Sequence, residues 1–214
     1  MTTRHRRLGA GRPAECRRPR RRRYLVVTNG EVTEPEYFHG LQTELDNVVL
    51  EVRHFRRDPS ALASVAGDLK RSESASAVSK GADDFAGVFA VTDVDDFPPE
   101  QFQRARRACK EAGVELIVSN PCFEVWLIDH FVTCADAYAL TRDVERKAAE
   151  LGLTGGERNK HVVYDRLRGK HELACVNAAR HNTEERRFSR RSFGNLAFAP
   201  WTDMPDLMAR LKER

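Results

Sequence analysis

The sequence predicts an α/β protein in which a parallel sheet is flanked by helices and followed by a mainly helical extension. Three observations carry that expectation. Short apolar runs rich in β-branched residues recur at Tyr24–Thr28, Val48–Phe55, Val88–Val91 and Val114–Val118, with amphipathic stretches between them. The runs at Tyr24–Thr28 and Val88–Val91 are continuous rather than alternating, as in strands covered on both faces. Connections of this length imply right-handed crossovers and hence a doubly wound parallel sheet.

Composition sets the outer limits. A chain of 214 residues can bury one sizeable core, so residues 23–214 are expected to form a single domain, with 131–214 as its helical extension. Residues 1–23 hold ten arginines and one acid, leaving the remainder at −5 within a total of +4. Residues 1–22 therefore read as a disordered Arg-rich tail, attractive to polyanions through charge alone or simply unstructured. No apolar run approaches the roughly 20 residues of a membrane helix, and the start of the chain lacks a secretory apolar segment. Cys16, Cys109, Cys122, Cys134 and Cys175 are odd in number and scattered, without a CxxC pair. That argues for reduced thiols in the cytoplasm, with neither a disulfide framework nor a zinc site.

Taken in order, Asn29-Gly30 breaks the first strand. Thr33 has Glu36 at capping-box spacing and Pro35 in the first turn of a helix carrying Tyr37, Phe38, Leu41 and Leu45 on one face. Asp58-Pro59-Ser60 opens a second helix, which the serines at 72–83 are expected to end as a loop. A helix over 99–112 is closed by Gly113. Beyond Phe131, helices are expected over 136–150, 160–168 and 172–187, and Thr202 is placed to cap a last one. Tyr37, Phe38 and Trp126 read as core.

The strand at Val88–Val91 runs into Asp93, Asp95 and Asp96. If the backbone stays extended, Asp93 and Asp95 point the same way and can share one hard cation. The plainer reading is an acidic turn in which Asp95 or Asp96 caps the helix beginning near Pro98. Glu31 and Glu34 follow the first strand and Glu124 follows the fourth. In a parallel sheet these ends share one edge, where clustered carboxylates are unfavourable without a cation. All-oxygen donors point to Mg²⁺ or Mn²⁺ rather than zinc. Glu124, in an apolar helix, is equally readable as a structural acid paired to an arginine.

The segments Gly30-Glu-Val-Thr-Glu-Pro-Glu-Tyr-Phe38, Asp93-Val-Asp-Asp-Phe97 and Asn120-Pro-Cys-Phe-Glu-Val-Trp-Leu-Ile-Asp-His-Phe131 resemble the RloB family. That family is Toprim-like, with a Rossmann-like sheet, and is associated with restriction and anti-phage loci. The resemblance covers residues 24–131 well, and Lys160, Tyr164 and the final helix more faintly. It implies metal-dependent phosphodiester chemistry, with Asp93 and Asp95 as ligands and Glu34 as a ligand or general acid/base. Asn29 stands where the family pattern usually has glutamate. Either Glu31 supplies that charge or the site has one anionic ligand fewer.

In such a site Lys160, with Arg158 behind it, is the candidate to stabilise charge on the phosphorane, the alternative being a solvated lysine. His130 and His161 are either phosphate-facing or structural. Arg186, Arg187, Arg190 and Arg191 either track a nucleic-acid backbone or form a solvated face. Two functional readings follow from the resemblance. One is a Mg²⁺-dependent nuclease of prokaryotic defence, acting on RNA such as tRNA or on DNA. The other is a weakly catalytic subunit binding nucleic acid or another defence protein. A primase-like activity fits the same acids but lacks a nucleotide-binding element.

Overall fold

Successive residues of β1 (Arg22–Thr28) point to opposite faces of the central sheet, and both faces are buried. In this computed structural model, which describes residues 21–80, 83–95, 97–135, 140–183 and 199–213, Tyr24 and Val26 face one core while Leu25 and Val27 face another. The same alternation sends Phe89 and Val91 of β3 (Gly87–Asp93) one way and Val88 and Ala90 the other. A strand buried on both sides has no polar face to offer, which is why these runs are continuously apolar.

β1 pairs in parallel with β2 (Val48–His54) on one side and β3 on the other, and β3 pairs in parallel with β4 (Glu115–Asn120). Between them run α1 (Thr33–Gln42), α2 (Pro59–Lys80) and α3 (Pro99–Ala112). Tyr37, Phe38 and Leu41 of α1 enter the first core, whereas Leu62, Ala63 and Ala66 of α2 and Ala105 and Cys109 of α3 enter the second. The five-stranded order is β2-β1-β3-β4-β7. The chain thus leaves β1 in opposite directions to reach β2 and then β3, making their carboxyl ends the switch point where open sheets bind ligands.

After β4 come α4 (Glu124–Asp129), α5 (Thr141–Glu150), a two-stranded ribbon of β5 (Thr154–Gly155) and β6 (His161–Val162), α6 (Tyr164–Leu167) and α7 (His171–His181). Trp126, Val144, Leu153, Leu167, Ala174 and Ala178 from this part complete the first core. β7 (Trp201–Thr202) then adds to β4 antiparallel, and α8 (Met204–Lys212) packs Leu207 and Leu211 inward. Among the described residues, no helix is long and apolar enough to cross a membrane.

Several local expectations are corrected. Residues 72–80 continue α2 rather than forming a loop. Residues 160–168 split into β6 and the single turn α6, and α7 ends at His181. The C-terminal part is less purely helical than expected, because it contributes β7 to the main sheet. Thr33 does not cap α1: it lies inside the helix, and Val32 precedes it without a side-chain cap. Asp58 does cap α2, accepting the Ala61 N–H at 3.0 Å. Gly113 closes α3 in the left-handed conformation (φ 63°), as its sequence position implied. Thr202 sits in β7, one residue before the cap position, where its hydroxyl accepts the Met204 N–H at 3.2 Å. The backbone does not stay extended through Asp95, whose φ is 39°. Residues 1–20, Asp96, residues 136–139, and Arg186, Arg187, Arg190 and Arg191 lie outside the described residues.

Candidate functional site

At the switch point a cavity of about 680 Å³ opens between the ends of β1 and β3. Asn29, Gly30, Glu31 and Glu34 line it from the β1–α1 turn, Asp93 and Asp95 from β3, and Glu124 from the start of α4. Arg56, Arg57 and Asp58 approach from the β2–α2 connection, and Glu157, Arg158, Lys160 and His161 from the β5–β6 ribbon.

The acids differ in depth. Glu34 and Glu124 are 3 % and 1 % exposed, whereas Glu31 and Asp95 are exposed at the mouth. Gly30 lets Glu34 fold back: its N–H donates to Glu34 Oε1 at 3.2 Å, and a Cβ at position 30 would occupy the place of that carboxylate. Burial, followed by the Glu34 amide acting the other way and the charge of Glu124, pushes the Glu34 carboxyl up to about 7. Burial and then the charges of Glu34, Asp95 and Glu124 hold Asp93 well above the usual carboxylate range. Asp93 Oδ1 and Asn29 Oδ1 are both buried without a hydrogen-bond partner. Asp95 turns outward in its left-handed conformation, where its carboxylate accepts the Thr141 hydroxyl at 2.9 Å.

Lys160 is the cation of this cluster. Its Nζ lies 3.3 Å from Glu124 Oε1 and 2.5 Å from Glu145 Oε1, so Glu124 pairs with a lysine and not an arginine. Burial works to lower the Lys160 pKa, but Glu124 and Glu145 outweigh it and raise it above the ordinary value. The loop bearing Lys160 is docked on α1. Thr33 donates its hydroxyl to Lys160 O at 3.0 Å, and Glu36 accepts from the Val162 N–H and pairs with His161 Nδ1, both at 2.8 Å. Thr33 and Glu36 thus serve the site from positions the sequence offered as a helix cap. His130 lies away from the cavity lining, buried against Trp126 and His171.

The acids that a hard cation would use are therefore Asp93, Glu34 and Glu124, with Glu31 and Asp95 at the mouth. Among the described residues, no three His, Cys, Asp or Glu side chains converge closely enough to cage a metal unaided. That excludes an all-protein chelate in this arrangement but suits Mg²⁺, which takes one or two carboxylates and fills its octahedron with water and phosphate. The two unpartnered buried oxygens and the mutually repelling carboxyls fit such an ion.

The model of the RloB-like protein family matches residues 24–211. The chain belongs to the RloB-like family. No curated protein and no solved structure matches it. The RloB-like match spans β1 through α8, so the sheet edge, the ribbon carrying Lys160 and the closing helix all fall within it. Arg56 and Arg57 line the RloB-like cavity without having been singled out in the sequence, where nothing marks them apart from other arginine pairs. Glu145 and Thr141 were likewise missed, being ordinary polar residues of an amphipathic helix.

Proposed function

We propose that this chain is a metal-dependent phosphodiesterase that cleaves nucleic acid, RNA such as tRNA or DNA, in prokaryotic defence against phage. The observation that carries the reading is the buried carboxyl set Asp93, Glu34 and Glu124 at the β1/β3 switch point, with Asp93 Oδ1 unpartnered. Asp93 and Glu34 would hold Mg²⁺ or Mn²⁺, with Asn29 Oδ1 as a neutral donor. Once bound, the ion would supply an activated water and stabilise the leaving oxygen of an in-line displacement. Lys160, held by Glu124 and Glu145, places a positive charge beside the carboxyls that would offset charge on an anionic substrate oxygen. If Glu34 instead stays off the ion, its proton affinity, raised to about 7, suits proton transfer near neutral pH, the other role the resemblance implies. The phage-defence role and a cytoplasmic setting rest on the family resemblance and on thiol usage.

A second reading, a nucleic-acid- or partner-binding subunit with weak catalysis, is favoured by Asn29 and by the engagement of Lys160 with Glu124. One experiment separates the two. Wild type and Asp93→Ala are incubated with labelled tRNA, single-stranded RNA and DNA in Mg²⁺ or Mn²⁺. Cleavage by wild type alone supports the enzyme. Equal cleavage by both removes Asp93 from the chemistry, and binding without cleavage favours the subunit.

A further inference from the structure

The cavity has an acidic floor and a mouth of mixed charge, where Glu31, Asp95 and Glu157 are exposed beside arginines. Its floor holds Glu34, Asp93 and Glu124, with Lys160 committed to Glu124. Its rim carries the exposed Arg56, Arg57 and Arg158. Several other arginines have structural partners (Arg23 and Arg53 pair with Glu51, Arg210 with Glu115, and Arg168 with Asp165), whereas Arg107 and Arg142 are, among the described residues, unpaired on helix surfaces away from the cavity. Among the described residues, Arg56, Arg57 and Arg158 have neither an ion pair nor a hydrogen bond. Three guanidinium groups without structural work, converging on one cavity from two chain segments, are hard to explain as solvation alone.

Their backbones, by contrast, are pinned. Phe55 donates its N–H to Thr28 O at 2.8 Å, fixing the end of β2 to the sheet, and Asp58 is fixed as the α2 cap. Arg56 and Arg57 lie between those anchors. Arg158 and Asn159 both adopt left-handed backbone (φ 54° and 55°), an arrangement costing on the order of 1 kcal/mol or more per residue that persists only when neighbours enforce it. The turn is closed by Asn159 and Lys160 donating their N–H groups to Gly156 O and Glu157 O, both at 3.3 Å, and the residues that follow it are tied to α1 through Thr33 and Glu36. Fixed backbones carrying free heads make a pre-organised anion site, and guanidinium matches phosphate with two parallel hydrogen bonds. A phosphodiester nearing three carboxylates would be repelled without such a rim.

We propose that Arg56 and Arg57 on one lip and Arg158 on the other form a phosphate-binding rim that grips the backbone of a nucleic-acid strand, independently of any metal ion. The proposal rests on nucleic acid being the ligand of this site, but not on its cleavage. The rim supplies backbone affinity and positions the strand over the carboxylates, without reading base sequence.

The test is fluorescence anisotropy with a short labelled single-stranded RNA in EDTA, across a salt series, using the full chain. The rim triple variant Arg56→Ala/Arg57→Ala/Arg158→Ala is compared with Arg71→Ala/Arg104→Ala/Arg107→Ala, which removes equal charge from α2 and α3. Because the Arg-rich tail is present in both, its contribution cancels. Expected for the rim variant is about tenfold or more weaker binding at low salt, and a salt slope flatter by about two units, at roughly 0.7 per lost phosphate contact. The control should stay near wild type. Equal losses in both variants, or no loss in the rim variant, would overturn the proposal. Since no metal is present, the result does not depend on whether the chain cuts.

Discussion

Lys160 Nζ lies 3.3 Å from Oε1 of Glu124, a residue only 1 % exposed. The pair joins the ribbon loop to the first turn of α4 and neutralises the deepest acid of the cavity. Lys160→Met should therefore destabilise the fold by about 2 kcal/mol. That lies below the roughly 3–5 kcal/mol of a fully buried pair, because the lysine side chain is 38 % exposed and partly screened. Since the folded-state pKa of Lys160 is raised, its contribution is present at neutral pH and is lost only as pH climbs beyond the ordinary lysine value, about 10.4. Urea melts of wild type, Lys160→Met and Lys160→Arg at pH 7.5 measure this, with the arginine variant retaining most of the stability.

Gly30 is required by a close approach and not by its backbone angle. Gly30→Ala drives a methyl group into the Glu34 carboxylate and breaks its hydrogen bond to the residue 30 N–H. Expected are a loss of about 1 kcal/mol in stability and about tenfold weaker Mn²⁺ binding as Glu34 is displaced. Thermal melts and metal titration of the variant check both.

His130 governs acid stability. Its Nδ1 lies 2.9 Å from Trp126 O and its Nε2 3.1 Å from His171 Nδ1. Burial, against the Trp126 carbonyl and helped by His171 and Lys170, lowers its pKa to about 3. The folded protein keeps this ring neutral while the unfolded chain protonates it near pH 6.5, so stability is complete above pH 6.5 and falls as pH drops toward 3. The loss at pH 5 is about 2 kcal/mol. His130→Gln should cost stability at pH 7.5 yet flatten the dependence below pH 6.5, as read from urea midpoints between pH 4.5 and 8.

Much of this arrangement is legible in the residues. The runs Tyr24–Val27 of β1 and Val88–Val91 of β3 are apolar at every position because both faces are buried, and with their length, β-branching and flanking breaks they read as central parallel strands. Gly113 and Asp58 announce the helix ends they form. By contrast, α2 runs on through Ser72–Ser79, a serine-rich and mostly unburied stretch where Ala77 is buried, Glu73 pairs with Arg53 and Ser74 donates to Asp84, contacts that no local pattern encodes. β7 is two residues long and exists because it meets Ser119 and Asn120 of β4, with Ser119 and Thr202 83 residues apart in sequence. Acids at the carboxyl ends of parallel strands can be placed at a shared edge from topology. Their partners cannot, because Glu145 and Thr141 bond Lys160 and Asp95 from a helix whose spacing marks only a solvated face, and Arg56 and Arg57 line the cavity from a connection with no pattern of its own. Thr33 shows the converse: a capping-box spacing is filled by a residue whose hydroxyl bonds the Lys160 loop instead.

The most direct measurement is Mn²⁺ binding by wild type and Asp93→Asn at pH 7.5, without nucleic acid, by electron paramagnetic resonance with circular dichroism confirming the fold. If Asp93 and Glu34 hold a divalent cation, wild type binds the ion and the asparagine variant binds it about tenfold or more weakly. Equal affinity in both proteins, or no binding by wild type, would contradict a metal role for the buried carboxylates at the β1/β3 edge.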